Sequence, residues 1–334
     1  VAAGVVATLR ARTRIAAMVV VGTVGFGVTL WFFTLGAVDV ALTQMLVEVL
    51  TVCVMVLLLR RLPRRFRRDP APRRAGALVA ATIAGVASTV GVLAFTGRRE
   101  MSEIARYYLT ETYEQAGGVN VVNVILVDFR ALDTLGEMTV LGVTGLTVAA
   151  LLMNRAPVRA LRSIVDERSP LAHVHENLVY ARTFGRGLGP VIIAMSALLL
   201  LRGHYEPGGG FIAALVAGAG YALMYLSADT DRDRRLRWPY LTLIGSGVAL
   251  GTAAGLTGYL TGEGFLAASG VKILGYGLST TLVFDMGVYL CVLGLVVAAF
   301  TLLGPDTVDE APGDGDAPEK AAPGAATTRE EATR

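Results

Sequence analysis

Eight long apolar stretches constrain this chain more than any other feature of its sequence. About 20 apolar residues are enough for a helix to cross the hydrocarbon core of a bilayer. Such stretches occupy residues 15–35, 40–59, 76–96, 134–153, 188–201 (extending back toward 178), 208–228, 240–260 and 280–303. Of the 334 residues, 54% are hydrophobic and 17% charged, against about 45–50% and 25% in soluble proteins. We therefore predict an all-α, polytopic membrane protein with about eight transmembrane helices.

Three further segments differ from the spans in composition. Residues 97–120 are polar with apolar side chains at helical spacing, which predicts an amphipathic helix at the membrane surface. Residues 121–129 are apolar but too short to cross, so they form either a re-entrant segment or an extension of the fourth span. The tail, residues 304–334, is rich in Ala, Pro, Gly, Glu and Thr, and this composition predicts disorder.

The basic residues are distributed unevenly between the two sides of the membrane. If the N-terminus is cytoplasmic, 24 of the 30 Lys and Arg residues lie in the cytoplasmic segments, eight of them in the loop 60–75. Cytoplasmic loops are enriched in Lys and Arg, so we predict that both termini are cytoplasmic. The arginine-rich loop is expected to lie against anionic lipid headgroups. The net charge of only +3 gives no indication of a nucleic-acid partner.

Several enzyme and cofactor classes have no support in the sequence. Cys53 and Cys291 both lie in apolar runs, which excludes a disulfide framework and a cysteine zinc site. No Walker sequence is present, which argues against an ATP-driven pump. The sequence HVHE at residues 173–176 lacks the further ligands that a metal site needs. We expect neither a catalytic site nor a resident metal or cofactor.

Ionisable residues inside the spans are the first candidates for function. A charged side chain at the bilayer centre costs about 2.5–3.5 kcal/mol on insertion scales and usually serves an ion or proton path. Glu48 lies near the middle of the second span, on one helical face with Gln44 and Thr51. Asp39 lies near the outer end of that span, where it either handles ions or caps the helix. For Glu48 the alternative is a hydrogen bond that only fixes helix packing.

A denser cluster of charges leads into the fourth span. Asp128, Arg130, Asp133 and Glu137 lie within ten residues, and Asp133 and Glu137 share one helical face. Arg130 can pair with either aspartate, which would hold that carboxylate ionised. Glu137 lies deepest and is the best candidate for proton exchange. For Asp128 and Arg130 we favour a structural pair that fixes a break in the helix.

The sixth and eighth spans carry the remaining candidates. Pro207, Gly208, Gly209, Gly210 and Phe211 open the sixth span, where a helix N-terminus can orient a carboxylate. The glycines also allow close helix packing, as do those of the seventh span.

Two ionisable residues accompany that motif. His204, at its outer end, either relays protons or forms an ordinary hydrogen bond. Asp285, near the start of the eighth span, is either a coordinating carboxylate or a partner of a helix dipole.

Four motifs resemble those of Mrp-type (Mnh) multi-subunit cation/proton antiporters. GAVDVALTQMLVEVLTV and VNVILVDFRALDTLGEMTVLG resemble the C-terminal part of the large A subunit. RGHYEPGGGFIAALVAGAGYALMYLSAD and LVFDMGVYLCVLG resemble the B subunit, and the order matches a fusion of the two. The resemblance covers roughly residues 28–303. It implies an A-like region at 1–156, a B-like region at 157–303 and the tail at 304–334.

The resemblance also implies a function and partners. The chain would be a subunit of a complex in a bacterial plasma membrane that exchanges Na+ for H+, with other antiporter subunits as partners. It implies pathway roles for Glu48, Asp128, Asp133, Glu137 and Asp285. This sequence does not include the antiporter module that begins an A subunit, so the chain is either the C-terminal part of a longer subunit or a separate small subunit. In both cases we expect it to act only within the complex. The alternative is a membrane-arm subunit of a redox-driven complex, such as a membrane-bound hydrogenase.

Overall fold

The computed structural model describes residues 2–59, 66, 71–96, 100–153, 179–227, 238–262, 264–273 and 276–303. Within these ranges the helices are α1 (Ala2–Arg10), α2 (Arg14–Thr34), α3 (Val38–Leu59), α4 (Ala71–Thr96), α5 (Glu103–Ala116), α6 (Val121–Val124), α7 (Ala131–Met153), α8 (Val179–Arg202), α9 (Gly210–Ser227), α10 (Tyr240–Thr261) and α11 (Thr280–Leu303). A π-helical segment (Ile125–Phe129) lies between α6 and α7, and strands β1 (Gly270–Ile273) and β2 (Tyr276–Ser279) precede α11.

The predicted spans are confirmed as helices. Eight helices of the described part are long and apolar enough to cross a membrane: α2, α3, α4, α7, α8, α9, α10 and α11. Most ends lie within a few residues of the predicted ends. Helix α8 begins at Val179, in agreement with the predicted extension toward 178, and continues through Pro190. The tail and most of the arginine-rich loop lie outside the described residues, as does the HVHE sequence.

Helices α9 and α11 form the centre of the bundle. Helix α9 packs against α3, α8 and α11, while α11 also contacts α7 and α10. Two glycines allow the crossing of α10 and α11, since a Cβ on Gly247 would lie 2.6 Å from the Gly287 carbonyl oxygen. This confirms the predicted close packing along the glycine face of the seventh span. By contrast, the spanning part of α4 has no buried residue.

The amphipathic helix is present as α5. The Ser102 side chain caps its first turn, and Gly117, with φ of +68°, ends it. Tyr108 stacks on Phe129 of the π-helical segment, with ring centroids 5.5 Å apart. Helix α5 is therefore attached to the segment that leads into α7.

Residues 121–129 extend the fourth helix, which was one of the two predicted alternatives, and they precede its spanning part, Ala131–Leu152. They form α6 and the π-helical segment, and Arg130 then interrupts the helix with φ of −129° and ψ of 33°. The Thr134 hydroxyl donates to the Leu126 carbonyl oxygen at 2.6 Å across the interruption. This bond links α7 to the preceding segment.

A short hairpin departs from the purely helical prediction. Strands β1 and β2 pair antiparallel, with Gly270 opposite Ser279 and Ile273 opposite Tyr276. The Thr280 amide donates to the Ser269 carbonyl oxygen at 2.9 Å, which anchors the hairpin at the start of α11. The all-α class is unchanged, because the hairpin is a connection between two spanning helices.

Candidate functional site

A glycine-rich loop, residues 203–209, lies between α8 and α9 and forms hydrogen bonds with residues of the first half of the chain. Asn120 precedes α6, and its side-chain oxygen accepts from the amides of Val122 and Asn123 at 3.1 and 3.4 Å. Its Nδ2 donates to the carbonyl oxygens of Gly203 and Glu206 at 3.0 and 2.9 Å. One side chain thus caps α6 and holds the glycine-rich loop against it.

The loop is also fixed by Asp39, in the first turn of α3. Oδ1 of Asp39 accepts a hydrogen bond from the Gly208 amide at 2.9 Å, and the Asp39 side chain is buried. Gly209 then adopts φ of +94°, a conformation that favours glycine. Helix α9 begins at Gly210, so Pro207, Gly208 and Gly209 belong to the loop and not to the helix.

Asp285 lies against the N-terminus of α9. A Cβ on Gly210 would lie 2.2 Å from the Asp285 carbonyl oxygen and 2.5 Å from its Oδ1, so only glycine allows this approach. The Gly210 amide donates to the carboxylate, as expected where a helix dipole attracts negative charge. Asp285 is therefore the partner of the dipole of α9, rather than of its own helix. Asn123 Nδ2 donates to Asp285 Oδ2 at 3.2 Å.

The junction, formed by Asp39, Asn120, Asn123 and Asp285 with the glycine-rich loop, lies beside a cavity of about 320 Å³, the first cavity. Its ionisable lining residues are Asp39, Glu137 and Asp285, which come from α3, α7 and α11. Polar side chains of the same wall are Thr43, Gln44, Asn123 and Thr134, and apolar ones include Phe211 and Val288. The first cavity thus brings together three of the predicted carboxylates, which are far apart in the sequence.

Asp285 also lines a second cavity of about 270 Å³. Residues of α8, α11, the end of α5 and the hairpin line this cavity, and His204 and Ser279 are among them. The His204 ring lies 3.0 Å from the Ala116 carbonyl oxygen through Nε2. His204 therefore has the predicted ordinary hydrogen bond and also lines the second cavity, and a role in proton relay stays a prediction.

Glu48 lies outside the first cavity but is linked to it. Gln44 lines the cavity and donates to Glu48 Oε2 at 3.4 Å. The Glu48 carboxylate is packed against α2, where a Cβ on Gly25 would lie 2.0 Å from Oε2. The glycines of α2 therefore make room for a carboxylate at membrane depth.

Asp128 and Asp133 line neither cavity. Arg130 forms an ion pair with Asp133, and both side chains are exposed. The favoured structural pair of Asp128 with Arg130 is therefore wrong, because Asp133 lies one turn along from Arg130 and takes its place. Burial raises the pKa of the Asp128 carboxyl, and the nearby His204 partly offsets this.

Two residues of the junction escaped the sequence analysis. Asn120 and Asn123 are uncharged and stand within an apolar run, so no charge pattern singled them out. A signal was nevertheless present, because two amide side chains three residues apart in GGVNVVNV need partners when they are buried. Among the described residues, no group of three or more His, Cys, Asp and Glu side chains is arranged to hold a metal ion.

Family models match three consecutive regions of the chain. Residues 1–64 match MbhD, the D subunit of MBH, and residues 72–167 match MbhE, the E subunit of MBH. Residues 180–298 match a domain related to the MnhB subunit of Na+/H+ antiporter. The predicted division at residue 156 stays a prediction.

Curated proteins and a solved structure are similar over the same regions. The probable K+/H+ antiporter A/B subunit of Rhizobium meliloti (strain 1021) is 34% identical over 323 residues, which cover 88% of this chain and 32% of that protein. The Na+/H+ antiporter A subunit of Bacillus subtilis (strain 168) is 34% identical over 151 residues, which cover 45% of this chain and 19% of that protein.

The structure of the Mrp complex from Dietzia sp. DQ12-45-1b contains a chain with 48% identity and a TM-score of 0.83. The match covers 93% of this chain and 34% of that one, so this chain spans about a third of the length of its longest matches. Together these similarities, which extend over 93% of the chain, support a fusion of an A-subunit region to a B-subunit region of an Mrp antiporter.

Proposed function

We propose that this chain is a subunit of a multi-subunit antiporter that exchanges a monovalent cation, Na+ in the first instance, for protons. It would be a multi-pass component of a bacterial plasma membrane with both termini in the cytoplasm. In this role it is a secondary transporter subunit, not an enzyme. Similarity to a chain of the Mrp complex and eight helices able to span a membrane support this proposal.

The observation that carries the proposal is the set of carboxylates around the first cavity. Asp39, Glu137 and Asp285 line one cavity although they belong to three different helices. A carboxylate in a water-poor site binds either a proton or a monovalent cation, and this competition is what exchange requires. Ionisable groups inside a membrane protein usually face such a path. Na+ and H+ are therefore the cargo, and no cofactor is needed.

Other subunits are the proposed partners, and Glu137 supports this. Its side chain lines the first cavity but is also exposed on the surface of this chain, on a helix whose neighbouring residues Val140 and Val143 are apolar and exposed. A carboxylate that faced lipid would cost about 2.5–3.5 kcal/mol. A partner subunit that covers this face of α7 would remove the cost.

The curated relatives bear antiporter names, and this favours exchange over a redox-driven complex. The test uses membrane vesicles that carry the whole complex, with an imposed proton gradient and a fluorescent pH indicator. Addition of Na+ or K+ should release protons from the vesicles, and vesicles from a strain without this chain should show no response. A cation response that is unchanged without the chain would contradict the proposal.

A further inference from the structure

The two cavities meet at a single side-chain contact. Asn123 and Asp285 line both cavities, and the only other residue common to both is the apolar Val127. Asn123 Nδ2 and Asp285 Oδ2 are 3.2 Å apart, and both side chains are about 5% exposed. A polar contact between two buried side chains therefore lies where the two cavities share their lining.

The backbone of the glycine-rich loop blocks one direction of movement. A Cβ on Gly209 would lie 2.1 Å from Asn123 Nδ2, and one on Gly210 would lie 2.5 Å from Asp285 Oδ1. Neither side chain can therefore shift toward α9. The open directions are the first cavity and the second cavity.

We propose that Asn123 and Asp285 form a gate between the two cavities, in which Asp285 takes up a proton from one cavity and delivers it to the other. This inference rests on the proposed function. Asp285 is the proton carrier, and Asn123 is a positioning residue that holds its carboxylate at the boundary.

Protonation itself supplies the switch. The ionised Oδ2 accepts the N–H of Asn123, but a proton on Oδ2 makes it a donor that faces another donor. The contact then opens, the acid turns toward the other cavity, and loss of the proton restores the carboxylate. One proton is bound and one is released in each cycle. The ionisable groups nearby are Asp39 and Glu137 in the first cavity and His204 in the second.

Thiol accessibility tests the boundary without depending on transport. In the whole complex with Cys53→Ala, and with the fully buried Cys291 retained, one variant carries Thr43→Cys in the first cavity and another Ser279→Cys in the second. A charged methanethiosulfonate reagent is applied to vesicles of either orientation. Ser279→Cys should react from one face only, and Thr43→Cys should react from that face several-fold faster when Asn123→Ala is added. An equal rate at Thr43→Cys with and without Asn123→Ala would overturn the gate.

A proton-leak measurement tests the role of Asn123. In vesicles without added Na+ or K+, Asn123→Ala should dissipate a pH gradient several-fold faster than wild type, because the boundary then lacks its polar closure. Ser196→Ala is the matched control, since it removes a buried 3.0 Å bond to Tyr289 that touches neither cavity. Complex yield on a native gel accompanies each variant, and Asn123→Ser replaces Asn123→Ala if the latter does not assemble.

Asp285→Asn completes the design. It keeps the shape of the side chain but cannot titrate, so exchange should stop and the double variant with Asn123→Ala should leak less than Asn123→Ala alone. An assembled Asn123 variant that leaks no faster than Ser196→Ala would contradict the gate. If wild-type complex shows no cation/proton exchange, the proposed function fails, whereas the rate of thiol reaction at Thr43→Cys still reports on the boundary alone.

Discussion

Oδ1 of Asp39 accepts a hydrogen bond from the Gly208 amide at 2.9 Å, across 169 positions of sequence. Asp39 lies in the region that matches MbhD, and Gly208 lies in the region related to MnhB. A buried bond therefore connects the two fused regions at the edge of the first cavity.

Two variants of Asp39 separate its structural role from its charge. Asp39→Ala leaves the buried Gly208 amide without its acceptor, which should cost about 1–3 kcal/mol and lower the thermal stability of the purified complex. Asp39→Asn keeps an acceptor oxygen and should preserve most of that stability. Melting of both variants at the wild-type temperature would contradict this structural role of Asp39.

The close approach of the Glu48 carboxylate to Gly25 predicts a contrast between two glycines of α2. A Cβ on Gly25 would lie 2.0 Å from Glu48 Oε2, whereas one on Gly27 would meet nothing within 4 Å. We expect Gly25→Ala to displace the Glu48 carboxylate and reduce exchange to the level of Glu48→Gln, with Gly27→Ala unaffected. Cation-dependent proton movement in vesicles measures the exchange activity. Equal activities of the two alanine variants would argue against the close approach of Gly25 to Glu48.

The sequence predicts the spans well because their length and apolar character are local properties. The ends of α11 match the prediction for residues 280–303, and α10 differs by one residue. It also identifies Asp39, Glu137 and Asp285 one at a time, because a charge in an apolar run stands out. Their meeting around one cavity depends on contacts between distant helices, which no local pattern specifies.

The missed features have a common physical cause. Asn123 acts through a partner 162 positions away, and the hairpin forms through pairing of two four-residue strands. Both features result from contacts between separate segments rather than from composition. The ion pair of Arg130 with Asp133, by contrast, is a local contact and one of the two pairings that the sequence left open.

The start of α9 should tolerate no side chain at Gly210. Even Gly210→Ala would bring a Cβ within 2.2 Å of the Asp285 carbonyl oxygen, so we expect loss of assembled complex, and a greater loss for Gly210→Leu. Gly245→Ala is the control, because a Cβ there meets nothing within 4 Å and alanine favours a helix. Complex yield on a native gel measures both, and a normal yield of Gly210→Leu would refute this packing.

Asp128 predicts a pH-dependent stability difference. Burial raises the pKa of its carboxyl above the ordinary value of 3.8, although His204 partly lowers it. The folded state then holds the proton more tightly than the unfolded state, so this group lowers stability as the pH rises from 3.8 to the raised pKa, and the full loss remains at higher pH.

Asp128→Asn should therefore melt at a higher temperature than wild type at neutral pH, and the gain should shrink as the pH falls through the raised pKa. Asp133→Asn, at an exposed position, serves as the comparison and should show no such gain. A lower melting temperature for Asp128→Asn at neutral pH would contradict the stated cause.

In the proposed function, carboxylates at the first cavity carry the exchanged ions. Substitution of Glu137, which lines this cavity, is the sharpest test of that role. The measurement is Na+-dependent proton movement in vesicles that carry the complex with Glu137→Gln, from neutral to alkaline pH, with complex yield confirmed on a native gel. Glutamine keeps the size and most hydrogen bonds of glutamate but cannot titrate, so we predict that exchange is abolished or strongly reduced, while Glu137→Asp retains activity with a shifted pH optimum. Wild-type exchange by an assembled Glu137→Gln complex across that pH range would contradict the account.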